Sequence, residues 1–273
     1  MINNKLNWAV IPCAGLGTRL MPITKSVPKS MLPVGNYPII HFAVKEAISI
    51  GIENILIIIG DGMDSVRSYF TESTKNKSIP SNDENIDIEE MIKSSDIRFL
   101  LQEKPLGTGH AIKLTKRIIG DNSFAVILPD DLIFSKPNSI AQLQSIYEKY
   151  GGHVIGLNKL KKAEIESKGI VQFDEEADRY KIKSLVEKPK LSEAPTNIGV
   201  LGRYILHYSI FDEIIDNEQG ETGLTDAIAG ALRNSEVSGK ILDGYHFDTG
   251  NPNGLVKASN FFMKNSKLIL KKY

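Results

Sequence analysis

The residue types best suited to chemistry appear early in the chain. An apolar run over 8–12 opens into Ala14-Gly15-Leu16-Gly17-Thr18-Arg19 and continues to Pro28-Lys29-Ser30-Met31-Leu32-Pro33. A glycine-rich turn after a strand presents uncovered backbone N–H groups to an anion, and Arg19, Lys25 and Lys29 add cations nearby, so the segment reads as a cradle for a triphosphate. Two better-known glycine loops are excluded. Leu20 stands where a dinucleotide fingerprint needs its third glycine, and the Gly-Lys-Ser/Thr of a Walker loop is absent. The bland alternative is a tight strand-to-helix connection.

Further clusters follow downstream. Leu128-Pro129-Asp130-Asp131 places two carboxylates at the end of an apolar run, which suits Mg2+ bound through one or two carboxylates plus substrate phosphates; a cap or turn is the alternative. In Phe247-Asp248-Thr249-Gly250 an acid precedes a glycine turn, and on its own it reads as a turn before it reads as a ligand. Val186-Glu187-Lys188-Pro189 ends a strand with an acid and a base, which strand alternation points to opposite faces. Such a carboxylate accepts hydrogen bonds from two sugar hydroxyls and such a lysine binds a phosphate, with an ordinary surface ion pair as the equal alternative. Gln102 precedes Gly107-Thr108-Gly109-His110-Ala111. Its amide both donates and accepts, as pairing with a nucleobase edge requires. His110 reads as a packing or capping residue, because nothing near it supplies a nucleophile.

The elements that must position these residues are those of an α/β protein. Short apolar strands at 9–12, 54–59, 97–101 and 124–128 alternate with helical patterns at 41–50 and 109–119, which predicts a doubly wound, mostly parallel sheet covered on both faces. Ligands in such sheets bind beyond the carboxyl ends of the strands, where the Gly15 loop lies. The polar stretch 71–96 reads as an insertion with one short helix at 88–93, either a flap over the site or plain surface. After residue 161 the texture changes to strands at 169–173, 181–186 and 199–206 without long intervening helices, a smaller mixed-strand region suited to a second substrate. Helices are expected at 209–216 and 225–233, the latter capped by Thr222 or Thr225, and a last one at 253–272 as a packing or oligomer-contact element.

Composition narrows the function classes. The 273 residues suffice for one large α/β domain, or a domain and subdomain, with a substantial core. Thirty-three basic and 33 acidic residues cancel, so no global field draws in nucleic acid or a membrane surface, and anion binding must be local. The single Cys13 rules out an internal disulfide, suggests a reducing compartment and reads as a small buried hydrophobe. The N-terminus is polar and no apolar segment approaches the ~18 residues of a membrane span, so a cytoplasmic location is expected.

In this order and spacing the clusters resemble the bacterial uridylyltransferases of the sugar-1-phosphate nucleotidyltransferase family, over about residues 9–258. The resemblance is carried by Ala14-Gly15-Leu16-Gly17-Thr18-Arg19, Pro28-Lys29-x-Met31-Leu32-Pro33, Gly107-x-Gly109-His110-Ala111, Leu128-Pro129-Asp130, Glu187-Lys188-Pro189, Gly202-Arg203-Tyr204, Leu224-Thr225-Asp226-Ala227-Ile228 and Asp248-x-Gly250-Asn251. It implies a Rossmann-like nucleotidyltransferase fold: one domain over 1–273, with a nucleotide-binding part (1–135), a sugar-phosphate-binding part (136–250) and a C-terminal helix (251–273). It implies transfer of a uridylyl group from UTP to glucose-1-phosphate, giving UDP-glucose and pyrophosphate, by a homo-oligomer (dimer or tetramer). The nucleotide pocket carried over is Ala14, Gly15, Gly17, Thr18, Arg19, Lys29, Gln102 and Gly107. Mg2+ falls to Asp130 and Asp248, and the sugar phosphate to Asp131, Gly169, Glu187, Lys188 and Asn197; Arg19, Lys29, Lys188 and Asp130 carry the catalysis.

The chain departs from the family pattern at Ser30, usually a glutamate that helps hold base or ribose, at Thr222-Gly223, usually Ile-Gln, and at Lys168, usually a tyrosine; its C-terminal region is also short. Ser30 keeps a thymidylyl- or cytidylyltransferase in play. In a different class, a non-catalytic paralogue that binds a nucleotide sugar is opposed by the intact Arg19, Lys29, Asp130, Lys188 and Asp248. A Rossmann dehydrogenase lacks both its third glycine and its acid.

Overall fold

Isoleucine and valine dominate the central strands because both faces of each strand are covered. A computed structural model describes residues 6–72, 83–217 and 220–270; the polar N-terminal residues 1–5 and part of the expected insertion, 73–82, lie outside the described residues. In chain order the elements are β1 (Trp8–Pro12), β2 (Pro33–Val34), β3 (Tyr37–Pro38), α1 (Ile39–Ile48), β4 (Asn54–Ile59), α2 (Asp64–Thr71) and α3 (Asp83–Ser94). Next come β5 (Asp96–Leu101), α4 (Thr108–Lys113), α5 (Lys116–Ile119), β6 (Phe124–Ile127), β7 (Asp131–Phe134), α6 (Ser139–Tyr150) and β8 (His153–Lys159). The remainder are β9 (Gly169–Glu175), β10 (Tyr180–Glu187), β11 (Ile198–Leu206), α7 (Ile210–Glu213), α8 (Leu224–Ala231), β12 (Val237–Ile241), β13 (Tyr245–Asp248) and α9 (Pro252–Leu270).

Side chains alternate along the strands into two separate cores. In β4, Ile55, Ile57 and Ile59 join the core under α1, α2, α3 and α6, while Leu56 and Ile58 join the one under α4, α5, α7 and α8. Strands β1 and β6 alternate in the same way.

Among the described residues nine strands form one sheet in the order β5-β4-β1-β6-β11-β8-β12-β10-β9. The first four run parallel, as expected. The expectation of a mostly parallel sheet fails beyond β6: β11 runs antiparallel to β6 and β8, and β10 antiparallel to β12 and β9. For β9 and β10 the reason is connection length. Only residues 176–179 join β9 to β10, too few for the crossover a parallel pair requires. Gly199 of β11 also pairs with Ile170 of β9, so the far edge curls back toward the middle of the sheet.

Several element expectations are revised. The helix expected over 109–119 splits into α4 and α5, that at 209–216 shrinks to the four residues of α7, and α3 begins before residue 88. Helix α8 starts after Gly223 without a side-chain cap from Thr222 or Thr225. α2, α6, β7, β8, β12 and β13 were not expected. The last helix is a packing element, seating Ala258 and Phe262 in a third core with Leu20, Tyr37, Phe42 and Phe134. Among the described residues no helix is long and apolar enough to cross a membrane.

One buried ion pair links this scaffold to the loop that carries Asp130. Arg203 on β11 and Glu46 on α1 are 1% and 2% exposed, with Nη2 2.9 Å from Oε2 and Nε donating to both oxygens. Arg203 Nη1 also donates to the carbonyl of Leu128 (2.9 Å), and Glu46 Oε1 accepts from the backbone N–H of Ile140. Removing one partner strands the other charge away from water. Glu46→Gln is therefore expected to destabilise the protein by about 3–5 kcal/mol, and Glu46→Leu with Arg203→Met by much less, as read from urea unfolding.

Candidate active site

The loop after β1 is pinned at its start, where Cys13 N–H donates to the carbonyl of Ile58 (2.7 Å). Gly17 then takes φ 65°, a left-handed conformation that favours glycine, and Thr24 Oγ1 closes the turn on the Gly17 carbonyl (2.9 Å). The chain continues into a single 3-10 turn, Thr18–Leu20, rather than a helix, so the loop's own N–H groups and nearby cations, not a helix dipole, are what attract an anion. Among the described residues, the N–H groups of Gly15, Leu16 and Gly17 make no backbone hydrogen bond.

Ala14, Gly15, Gly17, Thr18, Lys29, Gln102 and Gly107 line one cavity of about 320 Å³. Arg19 is exposed and is not part of this lining, its guanidinium reaching Asp248 instead, and Lys25 is exposed. Gln102 is buried, and its amide NH2 donates to the Gly107 carbonyl (3.1 Å) and to Nδ1 of His110 (2.9 Å). That leaves the amide oxygen for a ligand, which narrows the two-way pairing expected from the sequence. His110 serves as the orienting partner. Ser30 is buried, its hydroxyl has no hydrogen-bond partner among the described residues, and it lines neither this cavity nor the next. Burial pushes the Cys13 thiol up to about 12, against the pull of Lys29, so it stays protonated.

Asp131, Gly169, Glu187 and Lys188 line a second cavity of about 280 Å³, together with Lys168, Gly202 and Tyr204. Asn197 is exposed just before β11 and is not part of this lining. Thr108, Leu128 and Glu221 belong to both cavities, so the two adjoin, with Asp130 facing the first and Asp131 the second. The loops that floor them are tied backbone to backbone. Gly109 N–H donates to the Thr222 carbonyl and Thr222 N–H to that of Leu106, both at 2.8 Å. A side chain on Gly107 (φ 94°) would meet Thr222 O at 2.6 Å.

Asp248 reaches the site through an antiparallel ribbon of β7 and β13 in which it pairs with Asp131. The Thr249 N–H and hydroxyl then clamp the Asp130 carbonyl at 2.7 and 2.9 Å. A Cβ built on Gly250 would lie 3.0 Å from Asp248 Oδ1 and 3.1 Å from Asp130 Oδ2, so the two carboxylates converge on one point. Each already holds a cation: Lys29 Nζ lies 2.7 Å from Asp130, and Arg19 Nη1 3.3 Å from Asp248. Among the described residues no group of three or more His, Cys, Asp or Glu forms a closed metal site. Two hard carboxylates facing an opening fit a divalent cation, with room left for water and ligand oxygens.

The other pairs are Lys168–Asp131 at 3.0 Å and Lys188–Glu187 at 3.2 Å. Lys188 does not lie opposite Glu187 as strand alternation predicted. It adopts φ 45° immediately after β10, which turns its side chain back toward the cavity that Glu187 lines. Lys168 and His246 are residues whose contacts sequence reasoning missed; neither offered a signal of its partner, since each meets Asp131 only through tertiary structure. Burial opposes the charge on Asp131, but Lys168 and His246 outweigh it and hold the carboxyl well below the usual range. Lys168 is likewise raised by Asp131 against its own burial, and Lys29 by Asp130. Burial, with Asp131 and Glu187 nearby, pushes the Tyr204 phenol up.

Two adjoining cavities that share one wall beside this sheet fit the architecture of a nucleotidyltransferase. The family model described as nucleotidyl transferase matches residues 8–265, and the chain belongs to that family. It is 37% identical over 266 residues to the UTP–glucose-1-phosphate uridylyltransferase YngB of Bacillus subtilis (strain 168), covering 94% of this chain and 90% of that relative. A UDP-glucose pyrophosphorylase solved in complex with UDP-glucose superposes with a TM-score of 0.88 at 32% identity, covering 96% of this chain and all of that one. A UTP-bound enzyme of the same kind from Acinetobacter baumannii gives 0.83 at 30% identity, over 98% of this chain and all of the other.

The depressed Asp131 has a consequence for acid stability. A carboxyl whose folded pKa lies below its unfolded value of about 4 stabilises the fold fully above that value and progressively less as pH falls through the folded pKa. The stability gap between the native protein and Asp131→Asn is expected to be full at pH 6–7 and to shrink below about pH 4, in urea unfolding series across pH. A gap independent of pH contradicts the assignment.

Proposed function

We propose that this chain transfers the uridylyl group of UTP to glucose-1-phosphate, giving UDP-glucose and pyrophosphate. The observation that carries this reading is the pair of adjoining cavities with Asp130 in one, Asp131 in the other and a basic side chain on each. The kinship with named uridylyltransferases supports the choice of substrates.

In this reading the triphosphate lies on the N–H groups of the Ala14–Thr18 loop, with Arg19 and Lys29 on its phosphates. The oxygen of Gln102 accepts from N3–H of uracil. Glu187 holds sugar hydroxyls and Lys188 the sugar's phosphate, while Asp131 and Gly169 shape that cavity; Asn197 stays at its outer approach. A phosphate oxygen of glucose-1-phosphate attacks the α-phosphorus, the bond from that phosphorus to the bridging oxygen breaks, and pyrophosphate leaves. No general base is required, because the second pKa of a phosphate monoester near ~6 leaves the nucleophile largely dianionic at neutral pH. The protein's work is to align two polyanions and offset their repulsion. Mg2+ held by Asp130 and Asp248 would supply further neutralising charge between them. Residues 1–135, apart from Asp131, then serve the nucleotide and 136–250 the sugar phosphate, while α9 braces the ribbon.

Lys29 and Arg19 leave Asp130 and Asp248 for the phosphates as UTP binds, an exchange eased at Arg19–Asp248 by its exposure and driven at the mostly buried Lys29–Asp130 by the phosphate charge that replaces the carboxylate. The test is pyrophosphate release with Mg2+, glucose-1-phosphate and each nucleoside triphosphate in turn. Asp130→Ala and Lys188→Ala are each expected to lower turnover by ~100-fold or more, the usual cost of losing a preorganised charge, and Lys29→Ala to act mainly on the KM for UTP. A near-native Asp130→Ala rate at saturating Mg2+ rules out the metal assignment.

A second reading, a thymidylyltransferase, is favoured by Gln102. An acceptor-only amide suits the N3–H of uracil and thymine alike, whereas N3 of cytosine carries no hydrogen. CTP is expected to support a rate roughly 10-fold or more below UTP, since an unmatched buried acceptor costs about 1–3 kcal/mol. The UTP-to-dTTP ratio in the same assay decides between the two readings.

A further inference from the structure

Lys168 is a cation to which the preceding reading gives no substrate, yet its side chain lines the second cavity. Its ammonium lies 3.0 Å from Asp131 Oδ1 and is also influenced by Asp248 and Asp130, on the side of the cavity where the two substrates would meet. Asp131 does not depend on Lys168 alone for partners. Its Oδ1 also meets His246 Nε2 at 3.1 Å and its Oδ2 accepts from the Gly202 N–H at 2.8 Å. An ammonium has three N–H donors, and one suffices for Asp131.

The backbone couples this lysine to Lys188. Gly169 pairs with Glu187 across β9 and β10, and the Lys188 N–H donates to the Lys168 carbonyl at 3.1 Å. Two lysines thus enter one cavity from a common anchorage. Their charges matter because the cavity also contains Asp131, Glu187, Glu221 and Asp226. A phosphate monoester brings a further charge of about −1.5 to −2 at neutral pH, and Lys188 alone leaves that anion beside an uncompensated carboxylate.

We propose that Lys168 binds the phosphate of the sugar phosphate together with Lys188, forming a two-lysine clamp held at fixed spacing by the Lys188–Lys168 backbone hydrogen bond and aimed by Asp131. This rests on the reading that the second cavity takes a sugar phosphate. The role differs from charge compensation of Asp131, which would leave ligand affinity untouched once both charges are removed together.

The experiment measures glucose-1-phosphate binding to the full chain by calorimetry without nucleotide, alongside steady-state kinetics and thermal unfolding. The variants are Lys168→Met, Lys168→Arg and Lys168→Met with Asp131→Asn. The double variant keeps the cavity free of a lone buried charge, so it remains informative where Lys168→Met fails to fold. Lys168→Met and the double variant are expected to raise both the Kd and the KM for glucose-1-phosphate by roughly 10-fold or more, the usual worth of a hydrogen bond to a charged group, with the KM for UTP within about 3-fold. Lys168→Arg restores most of the affinity. Native-like affinity in the double variant, or a loss that falls on UTP instead, overturns the proposal. Wild-type protein that binds glucose-1-phosphate but releases no pyrophosphate with any nucleotide sinks the transferase reading and leaves the clamp to be judged on binding alone. Failure of the wild type to bind glucose-1-phosphate at all sinks the clamp.

Discussion

Four carboxylates at the site are each held by a cation, and that constraint organises the rest of the structure. Asp130, Asp131, Glu187 and Asp248 each hold a lysine or arginine within 3.3 Å. Four bare carboxylates gathered around two cavities would repel one another and the phosphates they are to meet. Paired as they are, these four carboxylates add no net charge, while Glu221 and Asp226 in the same linings leave the surface acidic. Exposure sets how readily each pair opens. Arg19–Asp248 is largely in water and is weak, whereas Lys168–Asp131 is mostly buried and stays made. The outer pairs are suited to exchange partners and the inner one to hold its place.

Bringing these residues together is the main task of the fold. Lys29 and Asp130 are 101 residues apart, and Arg19 and Asp248 are 229 apart. The parallel half of the sheet delivers the Gly15 loop and Asp130 from neighbouring strands. The β7–β13 ribbon returns the end of the chain to the same place, and α9 packs against that ribbon and β2 to hold it there. The Arg203–Glu46 pair fixes the carbonyl of Leu128 just before Pro129-Asp130. Geometry at the site is thus inherited from the core rather than from loop flexibility.

Much of this was legible in the sequence wherever the signal was local. The apolar run of β4 is read to the residue because polar and glycine neighbours bound it on both sides. The loop at Gly15 and Gly17 and the carboxylate at Asp130 follow from residue type at a strand end. What escaped was non-local or conformational. Asp248 reads as a turn until its strand pairs with β7. The left-handed backbone of Lys188 has no signature in a non-glycine residue, so alternation pointed it the wrong way. Lys168 stood out only as a departure from a family pattern, since its partner is set by tertiary packing. The mixed half of the sheet was expected as a smaller strand-rich region, but its joining onto the parallel half depends on β8, β11 and β12 meeting side by side, which no single stretch declares.

The backbone bonds between Gly109, Leu106 and Thr222 make the floor of one cavity the wall of its neighbour. Lengthening or shortening either loop would therefore disturb both recognition surfaces at once. On the proposed assignment of the cavities, preference for the base and preference for the sugar are mechanically joined traits. Anyone wishing to retarget it toward another sugar would have to repack the nucleotide side in the same step.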